Sequence, residues 1–320
     1  MRYRPLGQSG LLVSVVGLGS NQFGGRLDLN GTRAVVDAAL DAGITLIDTS
    51  DTYGGGGGSE ELLGRVLEGH RHDVVLATKW GNQNNDMGYG PAAGLKGGRA
   101  YMRRAVEASL RRLRTDYIDL YQLHTPDPLT PIEETLAAGD ELVKEGKVRY
   151  LGHSNFAGWQ IAQAAHVAEA GGWTSFISAQ NHYSLLERDV EREVIPACDN
   201  YGLGMLPFFP LAMGLLTGKV SRESGAPEGS RLHGRDSYLT DSKFDRVEAL
   251  QAWGKEHGRS LLEIAIGGLG AQPTVGSVIA GATSPEQVQA NAQAGEWEPT
   301  EEELEEIDRL APSKAPGGSR

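Results

Sequence analysis

The sequence lacks features that would assign it to several other classes of protein. Its 320 residues include one cysteine, Cys198, so no disulfide can form within the chain, and a reducing, cytoplasmic compartment is expected. No stretch reaches the roughly 18 apolar residues that a membrane-spanning helix needs. Residues 1–13 lack the apolar core and cleavage site of a secretion signal and instead predict a short hairpin.

Positive charge is also scarce. The chain has 30 Lys and Arg against 42 Asp and Glu, which gives a formal net charge of −12 and a pI near 5.2. Without a basic stripe, neither nucleic acid nor an anionic membrane is expected as a main partner. No two His or Cys residues have the spacing of metal ligands, and His70 and His72 lie in a polar turn, so we predict no metal site.

Glycine, in contrast, is abundant: 44 residues, about twice the usual share of about 7%. There is no collagen period, and 39% hydrophobic residues are enough for a core, so the glycines are expected in turns or beside a ligand. Known phosphate-loop patterns fail. Gly17 and Gly19 begin a dinucleotide motif, but Gln22 replaces its third glycine, and the run 54–58 is followed by Ser59 rather than Lys.

Short β-branched runs alternate with amphipathic helical patterns along the chain. Strands are predicted at 13–18, 45–47, 74–78, 118–123, 148–152, 175–179, 205–207 and 275–279. Helices are predicted at 32–42, 60–68, 98–113, 131–145, 158–170, 189–200, 241–257 and 285–294. Eight pairs in this length predict an α/β fold, a single (β/α)8 TIM barrel over residues 1–320 with an N-terminal β-hairpin.

Two segments fall outside this alternation. Residues 211–240 carry five glycines and little apolar periodicity, which is typical of a functional loop or lid. Thr300 and Glu303 form a capping box that predicts an extra C-terminal helix, and residues 310–320 are predicted to be a frayed tail.

Three consecutive predicted strands end in an ionisable residue: Asp48, Lys79 and His124. Tyr53 follows Asp48 by five residues, so all four should meet at the C-terminal rim of the barrel, where such barrels place their active sites. A lysine ammonium is expected to lower the pKa of a nearby tyrosine, and an aspartate to hold the lysine. The set predicts a general acid aimed at an oxygen, although each residue alone is a common structural one.

The sequence here resembles the aldo-keto reductase superfamily, of bacterial type and related to the branches that include potassium-channel β-subunits. The resemblance lies in Ile47-Asp48-Thr49-Ser50-Asp51-Thr52-Tyr53-Gly54, Ser59-Glu60-Glu61-Leu62-Leu63-Gly64, Ala77-Thr78-Lys79 and Asp119-Leu120-Tyr121-Gln122-Leu123-His124. It implies an NADP(H)-dependent barrel that reduces an aldehyde or ketone. It also implies Tyr53 as proton donor, Lys79 and Asp48 as the residues that tune it, and His124 as the residue that orients the substrate.

The same resemblance implies cofactor contacts along the rim. They are Ser20, Asn21, Asp48, Ser154, Asn155, Gln180, Phe208, Pro210, Leu211, Ala212, Gly214, Lys219, Arg231, Gly281, Thr283, Gln287 and Asn291. Four positions depart from the family pattern. Phe208 replaces the usual Tyr or Trp, Phe209 a small polar residue, Ala290 a glutamate, and Gly281 the lysine of some branches.

Two other functions stay open at this point. One is a cofactor-bound regulatory or channel-associated subunit, a role that some family members have. The other is reduction of a nucleotide-linked keto-sugar, which the polar residues Asn84, Asn85, Asp86, His182 and Tyr183 would allow. Substrate choice is expected to depend on residues 83–96 and 217–240, and nothing in the sequence predicts the oligomeric state.

Overall fold

The computed structural model describes residues 1–313; most of the predicted frayed tail, residues 314–320, lies outside them. An eight-stranded parallel sheet forms the centre of the fold, in the order β10-β3-β4-β5-β6-β7-β8-β9. The strands are β3 (Val16–Gly19), β4 (Leu46–Asp48), β5 (Val75–Trp80), β6 (Ile118–Leu123), β7 (Val148–Ser154), β8 (Phe176–Gln180), β9 (Gly204–Met205) and β10 (Val278–Gly281).

The sheet closes on itself. At one side β10 pairs with β3, with Val278 opposite Val16. At the other, Met205 forms a bridge with Val275 and Phe208 with Ile279, so β9 and the residues after it pair with β10 and the residues before it. Eight parallel strands closed in sequence order, with helices outside, make the predicted (β/α)8 TIM barrel.

The N-terminal hairpin is also present. β1 (Tyr3–Pro5) pairs antiparallel with β2 (Leu12–Ser14). Leu6, Leu11 and Val13 are buried in a cluster that also contains Leu46, Leu120, Leu206 and other residues of the barrel strands. The hairpin therefore fills the end of the barrel at which the strands begin.

The helices are α1 (Leu29–Asp41), the four-residue turn α2 (Tyr53–Gly56), α3 (Gly58–Val66), α4 (Arg99–Leu113), α5 (Ile132–Lys144), α6 (Gly158–Gly171), α7 (Val194–Tyr201), α8 (Asp241–His257), α9 (Leu261–Gly270), α10 (Pro285–Ala294) and α11 (Glu301–Leu310). The bounds of α8 and α10 are those predicted. Thr300 and Glu303 cap α11, the predicted extra helix. Within residues 1–313, no helix is both long and apolar enough to cross a membrane.

The prediction was wrong about the helix between β9 and β10. It assigned residues 241–257 to the barrel alternation, whereas α9 follows α8 and was missed. Eight of the ten residues of α9 are buried, so it has no polar face and no amphipathic period to detect. Its one sequence signal is the capping box of Ser260 and Glu263.

Two predicted elements are each divided in the structure. The predicted strand 13–18 is split at Val15 into β2 and β3, because the first half belongs to the hairpin and the second to the barrel. The predicted helix 189–200 is a 3-10 turn, Asp189–Arg192, followed by α7, because Glu193 has a non-helical backbone with φ −143°.

Candidate active site

The structure brings all four predicted catalytic side chains together where the barrel strands end. Asp48 is the last residue of β4, Lys79 lies in β5, and His124 directly follows β6. The Lys79 ammonium donates to Asp48 Oδ2 at 2.7 Å and to the Tyr53 hydroxyl at 3.4 Å. The rings of Tyr53 and His124 meet edge to face, with centroids 6.0 Å apart.

Asp48 and Lys79 form a buried ion pair with its remaining hydrogen bonds satisfied. Lys79 has no solvent exposure and also donates to the Thr49 carbonyl at 2.8 Å. Asp48 Oδ1 accepts from Gln180 Nε2 at 2.8 Å and from Gln122 Nε2 at 3.3 Å. Burial lowers the pKa of Lys79, but Asp48 and Tyr53 raise it above its ordinary value, so the lysine keeps its charge.

The pKa of Tyr53 differs from the value expected from the sequence. Burial raises the pKa of its phenol, and the opposing effect of Lys79 does not cancel that rise. Lys79 does lower this pKa, as the sequence predicted, but burial outweighs it and the pKa of Tyr53 lies above its ordinary value. The phenol is protonated at neutral pH, and its hydroxyl has a proton to give beside a fixed positive charge.

His124 is held neutral. Burial, with a smaller contribution from the Lys79 charge, lowers its pKa to about 3. Its Nδ1 lies 3.1 Å from Ser50 Oγ, and its Nε2 lies 3.4 Å from Asn82 Nδ2. A neutral imidazole with one nitrogen fixed by Ser50 can use the other to orient an oxygen beside Tyr53.

A cavity of about 860 Å³ opens above these residues. It extends from Tyr53 and His124 to Gln287 and Asn291 on α10. It is lined by nearly all the residues expected to contact a cofactor: Ser20, Asn21, Asp48, Ser154, Asn155, Gln180, Phe208, Pro210, Leu211, Gly214, Lys219, Arg231, Gly281, Thr283, Gln287 and Asn291. Ala212 is the exception; it is fully buried and does not reach the cavity.

Residues of the segment 217–240 line this cavity, and two arginines connect the segment to the loop after β3. Arg231 donates to Asn21 Oδ1 at 2.6 Å, and Arg26 donates to the Gly229 carbonyl at 2.6 Å. With Lys219 they place three cations on the cavity wall. A cavity of this volume, lined by three cations and by the amide groups of Asn155, Gln180, Gln287 and Asn291, fits a dinucleotide. Arg26 was missed, because nothing in the sequence marks it beyond its place after the first barrel strand.

The backbone around the cavity is unusual. Five non-glycine residues among residues 1–313 have positive φ, and four of them are Asn155, Phe209, Ala212 and Met213. Such conformations cost free energy and concentrate at functional sites. Sequence reasoning identified the loop from Pro210 onward but gave no sign of this backbone geometry.

The aromatic and amide groups of the cavity wall are also held in place. His182 stacks on Phe208, with ring centroids 5.5 Å apart and an angle of 11° between the planes. Asn155 Nδ2 donates to the His124 carbonyl at 2.9 Å, and Ser154 Oγ donates to the Gln180 carbonyl at 2.7 Å.

The polar residues considered for a nucleotide-linked sugar are less well placed. Asn84, Asn85 and Asp86 are exposed and do not line the cavity, and Tyr183 is buried against Glu191. Lys96 fixes their loop by donating to the carbonyls of Asn82, Gln83 and Asn85.

The glycine run beside Tyr53 has a conformational reason. Gly54, Gly55, Gly56 and Gly57 have φ of 70°, 79°, 98° and 106°. L-residues rarely adopt four such conformations in succession, so this turn requires glycine. It connects Tyr53 to α3, whose Ser59 hydrogen-bonds Ser20 and Thr49 at the cavity floor.

Comparison with known proteins agrees with this geometry. The model of the Aldo/keto reductase family matches residues 15–312. The uncharacterized oxidoreductase YrpG of Bacillus subtilis is 37% identical and covers 99% of this chain and 98% of the relative. A probable voltage-gated potassium channel subunit beta of Oryza sativa is 35% identical, with 98% of each chain covered. The L-glyceraldehyde 3-phosphate reductase of Escherichia coli O157:H7 is 33% identical, covering 97% of this chain and 92% of the relative.

Proposed function

The chain belongs to the aldo/keto reductase family of oxidoreductases, and we propose that it reduces an aldehyde or ketone to an alcohol with NADPH as cofactor. The observation that supports this most directly is the contact of Lys79 with the Tyr53 hydroxyl and with the buried Asp48, where Tyr53 and Asp48 line the dinucleotide-sized cavity.

Tyr53 is proposed as the proton donor. As negative charge develops on the carbonyl oxygen, its phenolic proton passes to that oxygen, and the Lys79 ammonium stabilises the phenolate that remains. Asp48 holds the ammonium in place, and His124 orients the oxygen through Nε2. The nicotinamide, when bound, supplies the hydride that reaches the carbonyl carbon.

Different cavity residues are proposed to bind different parts of the cofactor. Asn155 and Gln180 offer amide groups for the carboxamide, and Phe208 offers a ring for stacking. Arg26, Lys219 and Arg231 offer charge for the phosphates. The start of α10, where Gln287 lines the cavity, is proposed to receive the adenosine end and its 2′-phosphate.

The test is oxidation of NADPH by purified protein with a panel of aldehydes and ketones, followed at the nicotinamide absorbance. The panel includes glyceraldehyde 3-phosphate, because a relative is named for that reduction, and one nucleotide-linked keto-sugar. Tyr53→Phe should lower kcat by about 10²–10⁴-fold while NADPH still binds. Bound NADPH without turnover on any substrate would count against a reductase.

A channel-associated role is the second candidate, because two plant relatives are named as probable channel β-subunits. Their names describe those proteins. For this chain, co-purification of a membrane partner together with negligible turnover would favour that role. Turnover without such a partner would favour the reductase.

A further inference from the structure

Asp51 is a buried carboxyl group that the proposed reduction does not use. It lies two residues before Tyr53 and has no solvent exposure. Its backbone N–H donates to the Lys79 carbonyl at 3.2 Å, which fixes it beside the barrel. Its Oδ2 has no hydrogen-bond partner among residues 1–313. A buried carboxyl with an unpaired oxygen needs a structural or chemical reason.

A short hydrogen-bonded chain joins Asp51 to the candidate substrate-orienting residue. Asp51 Oδ1 lies 3.2 Å from Ser50 Oγ, and Ser50 Oγ lies 3.1 Å from His124 Nδ1. Ser50 is also fully buried, and its hydroxyl has a single hydrogen to donate. The Thr52 hydroxyl, 3.1 Å away, can donate to Ser50 Oγ. The Ser50 hydrogen is then left to point toward Asp51 or toward His124, but not toward both.

We propose that Asp51, acting through Ser50, determines which ring nitrogen of His124 carries the proton. This inference rests on the proposed function and deepens it, because it makes Asp51 a positioning residue for the carbonyl oxygen. His124 Nε2 can donate a hydrogen bond to that oxygen only when it carries the proton.

The two states differ by one proton. When Asp51 is protonated, it donates to Ser50 Oγ, Ser50 donates to His124 Nδ1, and Nε2–H faces the cavity. When the unit loses its proton at Nε2, the Ser50 proton passes to Nδ1 and the Asp51 proton passes to Ser50. Asp51 is then a carboxylate that accepts from Ser50, and Nε2 is a bare acceptor.

The surroundings of Asp51 place this change near neutral pH. Burial, followed by the Glu60 charge, raises the pKa of Asp51 to about 7, against the opposing effects of Ser50, Arg112 and Lys79. The charge of Asp51 in turn helps to raise the pKa values of Tyr89, Tyr101 and Tyr121, which face the same region. His124 faces Lys79 and Tyr53 and remains neutral throughout, so only its tautomer changes.

Asn82 provides an independent indication of the second state. Its Oδ1 accepts from the Asn84 backbone N–H at 2.9 Å, which fixes the orientation of the amide. Its Nδ2 therefore faces His124 Nε2, at 3.4 Å, and requires that nitrogen to accept. The arrangement is that expected when Asp51 is ionised and no substrate oxygen is present.

The experiment measures the ring nitrogens of His124 by 15N NMR on the full chain without cofactor, from pH 5.5 to pH 8.5. The His124 signals are assigned by their loss in His124→Asn. The ratio of the two tautomers should change about tenfold per pH unit on either side of a midpoint near 7. Asp51→Asn and Ser50→Ala should each abolish this pH dependence. Asp37→Asn, at an exposed site on α1, is the matched control and should leave it unchanged.

The same tautomer ratio at every pH in the wild type, or an unchanged titration in folded Asp51→Asn or Ser50→Ala, would overturn the proposal. Circular dichroism of each variant checks the fold. Because the readout needs neither cofactor nor substrate, it separates two failures. A responsive tautomer without turnover contradicts the reductase alone, and turnover with a fixed tautomer contradicts the relay alone. In an active enzyme, Asp51→Asn should also remove the limb of the kcat–pH profile near pH 7.

Discussion

Replacing Lys79 by methionine tests how much stability is lost when the buried Asp48 carboxylate is left without its cation. The variant keeps a side chain of similar length but leaves Asp48, which is 2% exposed, as a negative charge without its cation. Among residues 1–313, only the amides of Gln180 and Gln122 then remain as its side-chain donors. Removing one partner of a buried pair costs about 3–5 kcal/mol, so Lys79→Met should lose about that much free energy of unfolding.

The matched control is Lys144→Met. Lys144 lies 2.6 Å from Asp140, as close as Lys79 is to Asp48, but its side chain is 71% exposed. The Asp140 side chain is only 7% exposed and also accepts from the N–H and the hydroxyl of Thr174. The Lys144 ammonium, however, lies in water, which screens it, so the pair should contribute about 0–1 kcal/mol. A difference between the two variants therefore reports burial and not the distance between the charges.

The double variant Lys79→Met with Asp48→Asn removes both charges and keeps an oxygen for the two glutamine amides. It should recover most of the lost stability, to within about 1–2 kcal/mol of the wild type. It should not recover turnover, because the cation beside Tyr53 is still absent. Urea unfolding at pH 7, followed by the fluorescence of the five tryptophans, gives the stabilities. The reasoning is refuted if Lys79→Met costs no more than Lys144→Met, or if the double variant is no more stable than Lys79→Met.

Three further outcomes are expected. Burial lowers the pKa of His153 to about 3, against 6.5 in the unfolded chain. The folded state therefore loses stability as the pH falls from about 6.5 toward 3, because the unfolded chain binds the proton first. His153→Phe should remove about 2–3 kcal/mol of the stability loss between pH 7.5 and pH 4.5, measured by urea unfolding. Gly64→Ala places a Cβ against the Arg112 backbone and should cost about 1–3 kcal/mol. A Cβ at Gly268 would make only an ordinary contact, 4.0 Å from Leu185 Cδ2, so Gly268→Ala should not destabilise; equal thermal shifts would contradict this. Arg231→Ala should weaken NADPH binding about tenfold by fluorescence titration, and an unchanged Kd would show that its charge does not reach the cofactor.

The sequence predicts the barrel and the meeting of Asp48, Tyr53, Lys79 and His124 because both depend on local patterns. Each barrel strand is a short apolar run, and the ends of parallel strands lie together whatever their exact lengths. Helix α9 escapes the same reasoning, because a helix that is buried on nearly every side has no polar face to give it a period.

Other features depend on contacts between distant segments. Arg26 and Gly229 are 203 positions apart, and no local pattern indicates that they meet. The pKa of Tyr53 depends on a balance between burial and the charge of Lys79, and sequence alone gives the charge but not the burial. The pKa of Asp51 near 7 likewise depends on depth and on the position of Glu60.

The pairing of β3 with β10, which closes the barrel, affects how the chain folds. β3 must pair with β10, whose partner residues Val16 and Val278 are 262 positions apart (278 − 16). The N-terminal hairpin is also hydrogen-bonded to a segment far along the chain, since the Gln8 N–H donates to the Gly202 carbonyl. During synthesis β3 therefore has no partner on one side until β10 has left the ribosome. Such long-range pairing slows folding and prolongs the exposure of strand edges, so the yield of native protein should fall when the nascent chains are concentrated.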